Sequence, residues 1–580
     1  MNIKSEHIDH ILEIENLTID FQNKDRRTRA IEGVEFSLKR NQILGIVGES
    51  GSGKSVTSMA ILKLLSATQS KVVSGRILFQ DGAETIDLLK LNSSEIRKYR
   101  GNRISMIFQE PMTSLNPSMK CGKQVAEVLQ THRKISSKEA RAEVITLFNE
   151  VMLPRSEKIF ESYPHEISGG QKQRVMIAMA IACKPDILIA DEPTTALDVT
   201  VQHAILMLLK SLRDKYKMSI IFITHDLGVV AEIADDVLVM YKGKVVEKGS
   251  TDQVFHNPQH PYTKGLLYCR PPLNFRYQKL PTVSEFLENE TSATEIINTH
   301  KIITSAERNI RLENLYHQEP LLKITNLEKQ FEIKSGSWFV KPTILKAVNN
   351  VSFDVYKGET VGLVGESGCG KTTLGRTLLQ LVRPSNGSVF YKGKDLAKMS
   401  KSDLKHIRKE IQIIFQDPYS SLNPRIAIGE AIVEPMRVHG IEANEKAREE
   451  KAKYILERVG LPSSHFQRYP HEFSGGQRQR VCIARALALN PELIICDESV
   501  SALDVSVQAQ VLNLLNELKE EFGFTYIFIS HDLSVVHFMS DRIVVMKDGM
   551  IQEISDADEL YNHPKTDYTR NLIDAIPGRV

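Results

Sequence analysis

The sequence predicts an α/β protein in which one domain is repeated in tandem. The first observation is that the glycine-rich segment at residues 48–55 returns at residues 365–372. The second is that the motifs behind the first segment recur in the same order behind the other, at an offset that settles at 306 residues. The third is the length of 580 residues, which exceeds what one hydrophobic core usually holds.

The repeat divides the chain into a first domain at residues 1–264, a segment at 265–320 and a second domain at 321–580. The segment mixes prolines, scattered Asn and Thr, and acidic residues near 285–290. This composition predicts a C-terminal extension and a linker. A short flexible tether would hold the two unlike halves together at an effective concentration on the order of millimolar.

Short apolar runs predict the strands of the first half. Residues 14–21 and 34–38 alternate in part, and residues 43–47 lead into the glycine loop, after which we expect a helix from about residue 55 to 65. Continuous apolar runs, typical of a parallel sheet buried on both faces, lie at residues 187–190, 219–223, 493–496 and 525–529. Residues 109–168 and 416–474 are rich in Glu, Lys, Arg, Ala and Leu, which favours a helical insertion in each half.

Composition argues against several classes of protein. Lys and Arg number 74 against 72 Asp and Glu, so no broad cationic surface exists and no nucleic-acid partner is expected. No run approaches the roughly 20 apolar residues of a membrane-spanning helix, and the polar start lacks a secretion signal, so we expect the cytoplasm. The six cysteines have no C-x-x-C spacing, which argues against disulfides, zinc and iron–sulfur clusters.

Each glycine-rich segment follows the pattern G-x-x-x-x-G-K-[S/T]. Between a strand and a helix, this pattern offers backbone N–H groups to a polyphosphate, while the lysine reaches phosphate oxygens and the hydroxyl reaches Mg²⁺. Glycine is needed wherever a Cβ would block that approach. The residues predicted to bind nucleotide are Gly48, Ser50, Gly51, Gly53, Lys54 and Ser55, and in the second half Gly365, Ser367, Gly368, Gly370, Lys371 and Thr372.

An acidic pair follows one apolar strand in each half, as Asp191-Glu192 and Asp497-Glu498. At the carboxyl edge of a parallel sheet these carboxylates would lie beside the phosphates. We assign Asp191 and Asp497 to the magnesium shell, and Glu192 and Glu498 to polarising the attacking water. Taken alone, an acidic pair after a strand would more often be a surface turn. The phosphate loops in the same domains favour the catalytic interpretation.

The segments Ser168-Gly169-Gly170-Gln171 and Ser474-Gly475-Gly476-Gln477 precede stretches of helical composition, where free N–H groups and a hydroxyl meet an anion. Alone, each would be a capped helix start. Beside the phosphate loops, they resemble the signature motif of ATP-binding cassette (ABC) ATPases, although Ile167 and Phe473 replace the usual leucine.

The resemblance covers nearly the whole chain outside the linker. It implies two tandem P-loop NTPase domains that bind ATP and Mg²⁺, each with a parallel-sheet core, an antiparallel β subdomain and a helical subdomain. Gln109 and Gln416 match the family's Q-loop glutamines, which contact Mg²⁺ and water, and His225 and His531 match its switch histidines on the γ-phosphate. Residues 196–198 and 502–504 match its D-loops, which run across the dimer.

Phe21 and Phe331 precede the phosphate loops and are candidates for the aromatic residue that stacks on adenine in this family. Ordinary packing in a strand core explains them equally well. In the family two cassettes close head to tail, so Lys54 would share a nucleotide with Ser474 and Gly476, and Lys371 with Ser168 and Gly170. Both halves carry the full catalytic set, which implies two sites competent for hydrolysis.

Further motifs resemble the oligopeptide/dipeptide/nickel importer branch of the family. They are the Pro- and Asn-containing segments 110–117 and 417–424, the His-Pro-Tyr segment at 256–263 and its looser counterpart at 563–569. Such a chain would act on the cytoplasmic face of the inner membrane. It would dock two distinct transmembrane permease subunits and be fed by an extracytoplasmic solute-binding protein.

Two other functions remain alternatives at this point. A soluble twin-cassette protein acting on ribosomes or nucleic acid would carry a long Arg/Lys-rich arm or cysteine pairs, and a regulatory module without turnover would lack catalytic residues. The chain matches neither description. The cargo cannot be deduced from ATPase residues, and the family makes peptides the favoured substrate.

Overall fold

A computed structural model describes residues 10–23, 26–66, 68–109, 114–195, 197–288, 292–333, 343–501 and 503–576. Within these ranges each half contains a six-stranded sheet and a four-stranded sheet. No helix in the described part of the chain is long and apolar enough to pass through a membrane.

The six-stranded sheets are parallel except for one antiparallel edge strand each. In spatial order, the first consists of Lys244–Ser250, Asp236–Tyr241, Ile43–Val47, Ser219–Thr224, Ile187–Asp191 and Ile104–Ile107. The second consists of Ile411–Ile414, Leu493–Asp497, Thr525–Ile529, Thr360–Val364, Arg542–Lys547 and Met550–Asp556. The predicted buried parallel strands are thus confirmed, and they carry the acidic pairs and the histidines to one edge.

The four-stranded sheets are antiparallel, and each shares a hydrophobic cluster with its phosphate-loop helix. The first consists of Arg26–Lys39, His10–Asn23, Ser70–Asp81 and Glu84–Asp87. The second consists of Thr343–Tyr356, Pro320–Ile333, Asn386–Tyr391 and Lys394–Asp395.

Helices cover the parallel sheets and form the predicted insertions. In the first half they are Lys54–Ile61, Cys121–Arg133, Ser137–Glu150, Ser156–Glu161, Gly169–Ile181, Val199–Tyr216, Leu227–Ile233, Thr251–His256 and Pro261–Tyr268. In the second half they are Lys371–Leu378, Lys401–Glu410, Pro418–Ser421, Ile428–Val438, Glu445–Arg458, Gly475–Leu487, Val505–Phe522, Leu533–Met539, Ala557–Asn562 and Asp567–Asp574. The helix expected to reach residue 65 ends at Ile61, where Lys63 adopts a left-handed conformation with φ 53°.

The segment at 265–320, predicted to be a C-terminal extension and linker, is bonded to the second half and is therefore not a flexible tether. It contains the helices Val283–Glu288, Ala293–Thr299 and Ser305–Tyr316. Its backbone is bonded to the second half, because the amide of Asn513 pairs with both the N–H and the carbonyl of Leu280 at 2.8 and 2.9 Å. The buried guanidinium of Arg276 donates to the carbonyl of Ser540 at 2.7 Å. Tertiary partners more than 200 residues away order this segment.

Candidate active site

The phosphate loops have the backbone that their glycines predict. Gly53 and Gly370 stand at the helix starts with φ of 102° and 108°, a conformation that favours glycine. A Cβ on Gly48 would lie 2.2 Å from the carbonyl oxygen of Met240, and one on Gly365 would lie 2.1 Å from that of Met546. Glycine is therefore required sterically at the first position of each loop.

The two loop lysines are buried and bind their own loops. The Nζ of Lys54 donates to the carbonyls of Gly48 and Glu49 at 2.6 and 2.9 Å, and Lys371 bonds Gly365 and Glu366 at 2.7 and 2.9 Å. Burial lowers the pKa of Lys54, although nearby carboxylates oppose this effect. Each ammonium group is thus held at the mouth of its loop, where a phosphate would enter.

A hydroxyl and a carboxylate meet beside each loop. The hydroxyl of Ser55 donates to Asp191 at 3.3 Å, and that of Thr372 donates to Asp497 at 2.9 Å. Burial raises the pKa of Asp191 to about 6 and raises that of Asp497. Mg²⁺ prefers oxygen ligands and commonly takes one or two carboxylates plus substrate phosphates. The donor set therefore fits Mg²⁺ when a nucleotide supplies the remaining oxygens.

The glutamates Glu192 and Glu498 share an unusual backbone, with φ of 48° in both halves. A left-handed non-glycine residue costs about 1–2 kcal/mol, and such strain concentrates at functional sites. Each carboxylate accepts a hydrogen bond from the Q-loop amide: Gln109 donates to Glu192 at 2.9 Å and Gln416 donates to Glu498 at 2.7 Å. The predicted glutamine and glutamate of each half are thus brought together.

The switch histidines complete each cluster. The Nδ1 of His225 lies 3.3 Å from Glu192, and that of His531 lies 3.5 Å from Glu498. Burial alone would lower the pKa of His225, but the hydrogen bond and charge of Glu192 raise it above the usual histidine value. For Glu192 the effects have the opposite sign: burial alone would raise the pKa of its carboxyl, but contacts with His225, Lys54 and Thr195 lower it to about 2. Glu192 is therefore an ionised carboxylate at neutral pH.

The signature serines Ser168 and Ser474 cap the helices Gly169–Ile181 and Gly475–Leu487, and each takes part in a capping box with the glutamine three residues on. The second glycines, Gly170 and Gly476, lie against the helix that follows the D-loop. A Cβ there would meet a valine methyl at 2.9 Å in the first half and 2.2 Å in the second. This close approach explains the requirement for glycine.

The two halves meet through their D-loops. The carboxylate of Asp504 accepts from the N–H of Ser50 in the opposite phosphate loop at 3.0 Å, and Asp198 accepts from Ser367 at 3.4 Å. His225 and His531 both line a cavity of about 110 Å³ between the D-loops. The charge of Asp504 contributes to the raised pKa of His225. The two sites are thus in electrostatic and hydrogen-bond contact.

Phe21 and Phe331 lie at matching places in the antiparallel sheets, but their surroundings differ. Phe21 is half-buried in the strand His10–Asn23, between Thr28 and Ser70 on the neighbouring strands. Phe331 is 40% exposed, and the Nζ of Lys329 lies 5.0 Å from its ring centroid. Packing in a strand core therefore does not account for Phe331.

Sequence reasoning singled out the segments behind each cassette but gave their tyrosines no role. Tyr262 and Tyr568 accept hydrogen bonds from the backbone N–H of Glu49 and Glu366, the second residue of each phosphate loop. Their spacing of 306 residues was an available signal, because it is the offset of the catalytic motifs.

Ala196 and Ala502 of the predicted D-loops, and residues 110–113 behind Gln109, lie outside the described ranges.

Comparison with known proteins identifies the family to which the chain belongs. The family model described as ABC transporter matches residues 31–195 and 348–501, and that described as oligopeptide/dipeptide transporter, C-terminal region, matches 246–295. The glutathione import ATP-binding protein GsiA of Pectobacterium atrosepticum is 47% identical over 98% of this chain and 89% of its own length. The GsiA protein of Escherichia coli strain K12 is also 47% identical, over 98% of this chain and 90% of its own length.

Among solved structures, a dimeric ATP-binding cassette bound to ADP and Pi is 31% identical to this chain. The match covers 41% of this chain and 98% of the solved chain, with a TM-score of 0.37.

Two phosphate loops, each beside an acidic pair, a glutamine and a histidine, are the features of a twin-cassette ATPase. This chain belongs to the ABC transporter family, and its segment behind the first cassette matches the oligopeptide/dipeptide branch. The chain therefore binds and hydrolyses ATP. Relatives of this kind do not favour the alternative of a soluble protein acting on ribosomes or nucleic acid.

Proposed function

We propose that this chain is the ATPase subunit that energises import of short peptides or related small solutes through separate membrane permease subunits. The observation that carries the proposal is the reciprocal contact of each D-loop aspartate with the opposite phosphate loop. Such contacts make the nucleotide sites a shared property of both halves. Closing and opening of the two cassettes against each other can then be transmitted to the permease subunits.

In hydrolysis the ionised carboxylates of Glu192 and Glu498 orient and polarise the attacking water. Lys54 and Lys371 exchange their loop carbonyls for phosphate oxygens, and the loop N–H groups stabilise the developing charge. His225 and His531 hold the glutamates in place and donate toward the γ-phosphate. Gln109 and Gln416 link the same glutamates to the helical insertion.

Ser55 with Asp191, and Thr372 with Asp497, would hold Mg²⁺ with help from Gln109 and Gln416. When bound, the cation neutralises charge on the β- and γ-phosphates. The raised pKa of Asp191 is consistent with a buried carboxylate placed for a cation, because burial without a positive partner disfavours the charged form.

We infer that each ATP is sandwiched between the halves. Ser474 and Gly476 would then face the nucleotide on Lys54, and Ser168 and Gly170 the nucleotide on Lys371. The free N–H groups at the starts of the signature helices suit a phosphate. Phe331, which is exposed, is available to stack on adenine, and Phe21 is its counterpart in the first half.

The permease partners are proposed to be two transmembrane subunits on the cytoplasmic face of the inner membrane, supplied by an extracytoplasmic solute-binding protein. The two halves of this chain differ in sequence, which suits a pair of unlike permeases. The relatives are named for glutathione import, and this favours a short peptide as the cargo.

The test is uptake of labelled short peptides, glutathione among them, by cells that lack this chain. Wild-type chain should restore uptake, and detergent extraction should recover two membrane proteins with it. Restored uptake by a variant that cannot hydrolyse ATP, or recovery with ribosomes in place of membrane proteins, would contradict the proposal.

A further inference from the structure

The segment behind each cassette reaches the phosphate loop of that cassette. In the first half, the N–H of Glu49 donates to the hydroxyl of Tyr262 at 3.0 Å. Tyr262 is fully buried, and its ring packs against Tyr241 with centroids 4.2 Å apart. The hydroxyl is therefore fixed in place by the packing of its ring.

The second half repeats this contact with different neighbours. The N–H of Glu366 donates to the hydroxyl of Tyr568 at 3.2 Å. Here the Nζ of Lys547 lies 4.7 Å from the tyrosine ring centroid, at the position where the first half has Tyr241. Because the packing around the ring changed while the hydroxyl contact stayed, the contact itself is the shared feature.

The helices that carry these tyrosines are anchored in the same way. The carboxylate of Glu247 accepts from the N–H groups of Gln259 and His260 at 2.7 and 3.0 Å. In the second half, Glu553 accepts from Lys565 and Thr566 at 3.0 and 3.2 Å. Both anchors belong to the antiparallel edge strand of the parallel sheet, so each tyrosine is held by the sheet that carries its phosphate loop.

Glu49 is bonded through all three of its polar groups. Its N–H binds Tyr262, its carbonyl accepts from Lys54 at 2.9 Å, and its carboxylate accepts from the hydroxyl of Ser506 in the opposite half. Glu366 is bonded in the same three ways, to Tyr568, Lys371 and Thr200, the last at 3.2 Å. The second loop residue thus joins the segment behind the cassette, the phosphate-binding lysine and the other cassette.

We propose that Tyr262 and Tyr568 are positioning residues that preorganise the phosphate loops and so set the affinity of each cassette for ATP. This inference rests on the ATP-binding function. Phenylalanine at either position keeps the ring but leaves a loop N–H without its acceptor. That N–H must then find another partner, and the loop shifts from the shape that receives the phosphates.

The experiment uses the full-length chain with Tyr262→Phe, Tyr568→Phe and the double change. Loss of one hydrogen bond to the loop should raise the KM for ATP roughly threefold to tenfold. The kcat should change less than about twofold, because neither tyrosine touches Glu192, Glu498 or their partners. Binding of a fluorescent ATP analogue should weaken by the same factor as the KM rises.

Tyr526→Phe is the matched control. Tyr526 is also fully buried, and its hydroxyl donates to the carbonyl of Leu515 at 3.2 Å, away from both loops. This variant should keep the wild-type KM, which separates loop positioning from a general loss of packing. An unchanged KM in the Tyr262→Phe/Tyr568→Phe double variant would overturn the inference, as would an equal rise in Tyr526→Phe. Failure of the wild-type chain to bind the analogue would instead refute the ATP-binding function on which the inference rests.

Discussion

Replacing Glu192 and Glu498 together by glutamine should abolish turnover while leaving the fold intact. Glu192 accepts hydrogen bonds from Gln109 at 2.9 Å and Thr195 at 3.0 Å on one oxygen, and His225 faces the other at 3.3 Å. A glutamine can keep its oxygen toward Gln109 and Thr195 and present its amide to the histidine, whose tautomer adjusts. The substitution therefore removes the charge and keeps the contacts.

The expected loss follows from the role of the carboxylate. A positioned general base contributes roughly 10²- to 10⁴-fold, which corresponds to about 2.7–5.4 kcal/mol of transition-state stabilisation. Glu192 has a pKa of about 2, so the wild-type carboxylate is ionised throughout the physiological pH range and glutamine removes a full negative charge. ATP binding should persist, because the loops, the lysines and the D-loop contacts are untouched.

Steady-state phosphate release, measured at saturating ATP, should fall by at least about 10²-fold in the double variant. Retained nucleotide should be intact ATP. Glu161→Gln is a suitable control, since Glu161 is exposed and paired with Lys120 at 2.8 Å in the helical insertion of the first half. Phosphate release at the wild-type rate in the Glu192→Gln/Glu498→Gln chain would refute the assignment of both glutamates.

Two further predictions concern the docked segment at 265–320. Arg308→Ala should destabilise the second half by about 2 kcal/mol in thermal unfolding, because Asp556 loses its buried partner and Asp558 keeps only Arg276 and His537. Lys279→Ala at an exposed pair should cost less than about 1 kcal/mol. Equal effects of the two changes would contradict the buried role of Arg308. Burial, with the charges of Arg276 and Arg308, lowers the pKa of His537 to about 3, although its Nε2 lies 2.8 Å from the carboxylate of Asp558. In the unfolded chain a histidine titrates near 6.5, so below that pH the unfolded state takes up a proton that the folded state does not. The free energy of unfolding should therefore fall by about 2 kcal/mol from this group by pH 5. His537→Asn should make the loss of stability between about pH 7.5 and 5 smaller.

Much of the fold could be predicted from local patterns. The runs at 187–190 and 493–496 became the strands Ile187–Asp191 and Leu493–Asp497, because a continuous apolar stretch has few alternatives to a doubly covered parallel strand. The end of the first phosphate-loop helix could not be predicted in this way. Residues 61–65 remain mostly apolar, and the helix stops where Lys63 turns to donate to the carbonyls of Leu89 and Leu91 at 2.7 and 2.5 Å. Both acceptors belong to a distant part of the chain.

The candidate site divides in the same way. The grouping of the glutamine, glutamate and histidine of each half could be predicted, since each stands at a fixed place behind a strand of the same sheet. The contacts of Asp504 with Ser50 and of Tyr262 with Glu49 could not, because they join residues that are far apart in the chain and belong to different motifs. The docking of the segment at 265–320 could not be predicted for the same reason, because Arg276 and Arg308 pair with carboxylates that lie more than 200 residues away in the second half.

The internal repeat separates what the two cassettes share from what distinguishes them. The left-handed backbone of Glu192 recurs at Glu498, and in both halves the carboxylate accepts a hydrogen bond from the corresponding glutamine. The docking of the segment at 265–320 is different, because its acceptor Asn513 corresponds at the 306-residue offset to Met207, which is 38% exposed. A methionine cannot pair with a backbone amide and carbonyl as Asn513 does. The residues proposed for hydrolysis therefore recur in both cassettes. The surface on which the segment at 265–320 docks differs between them.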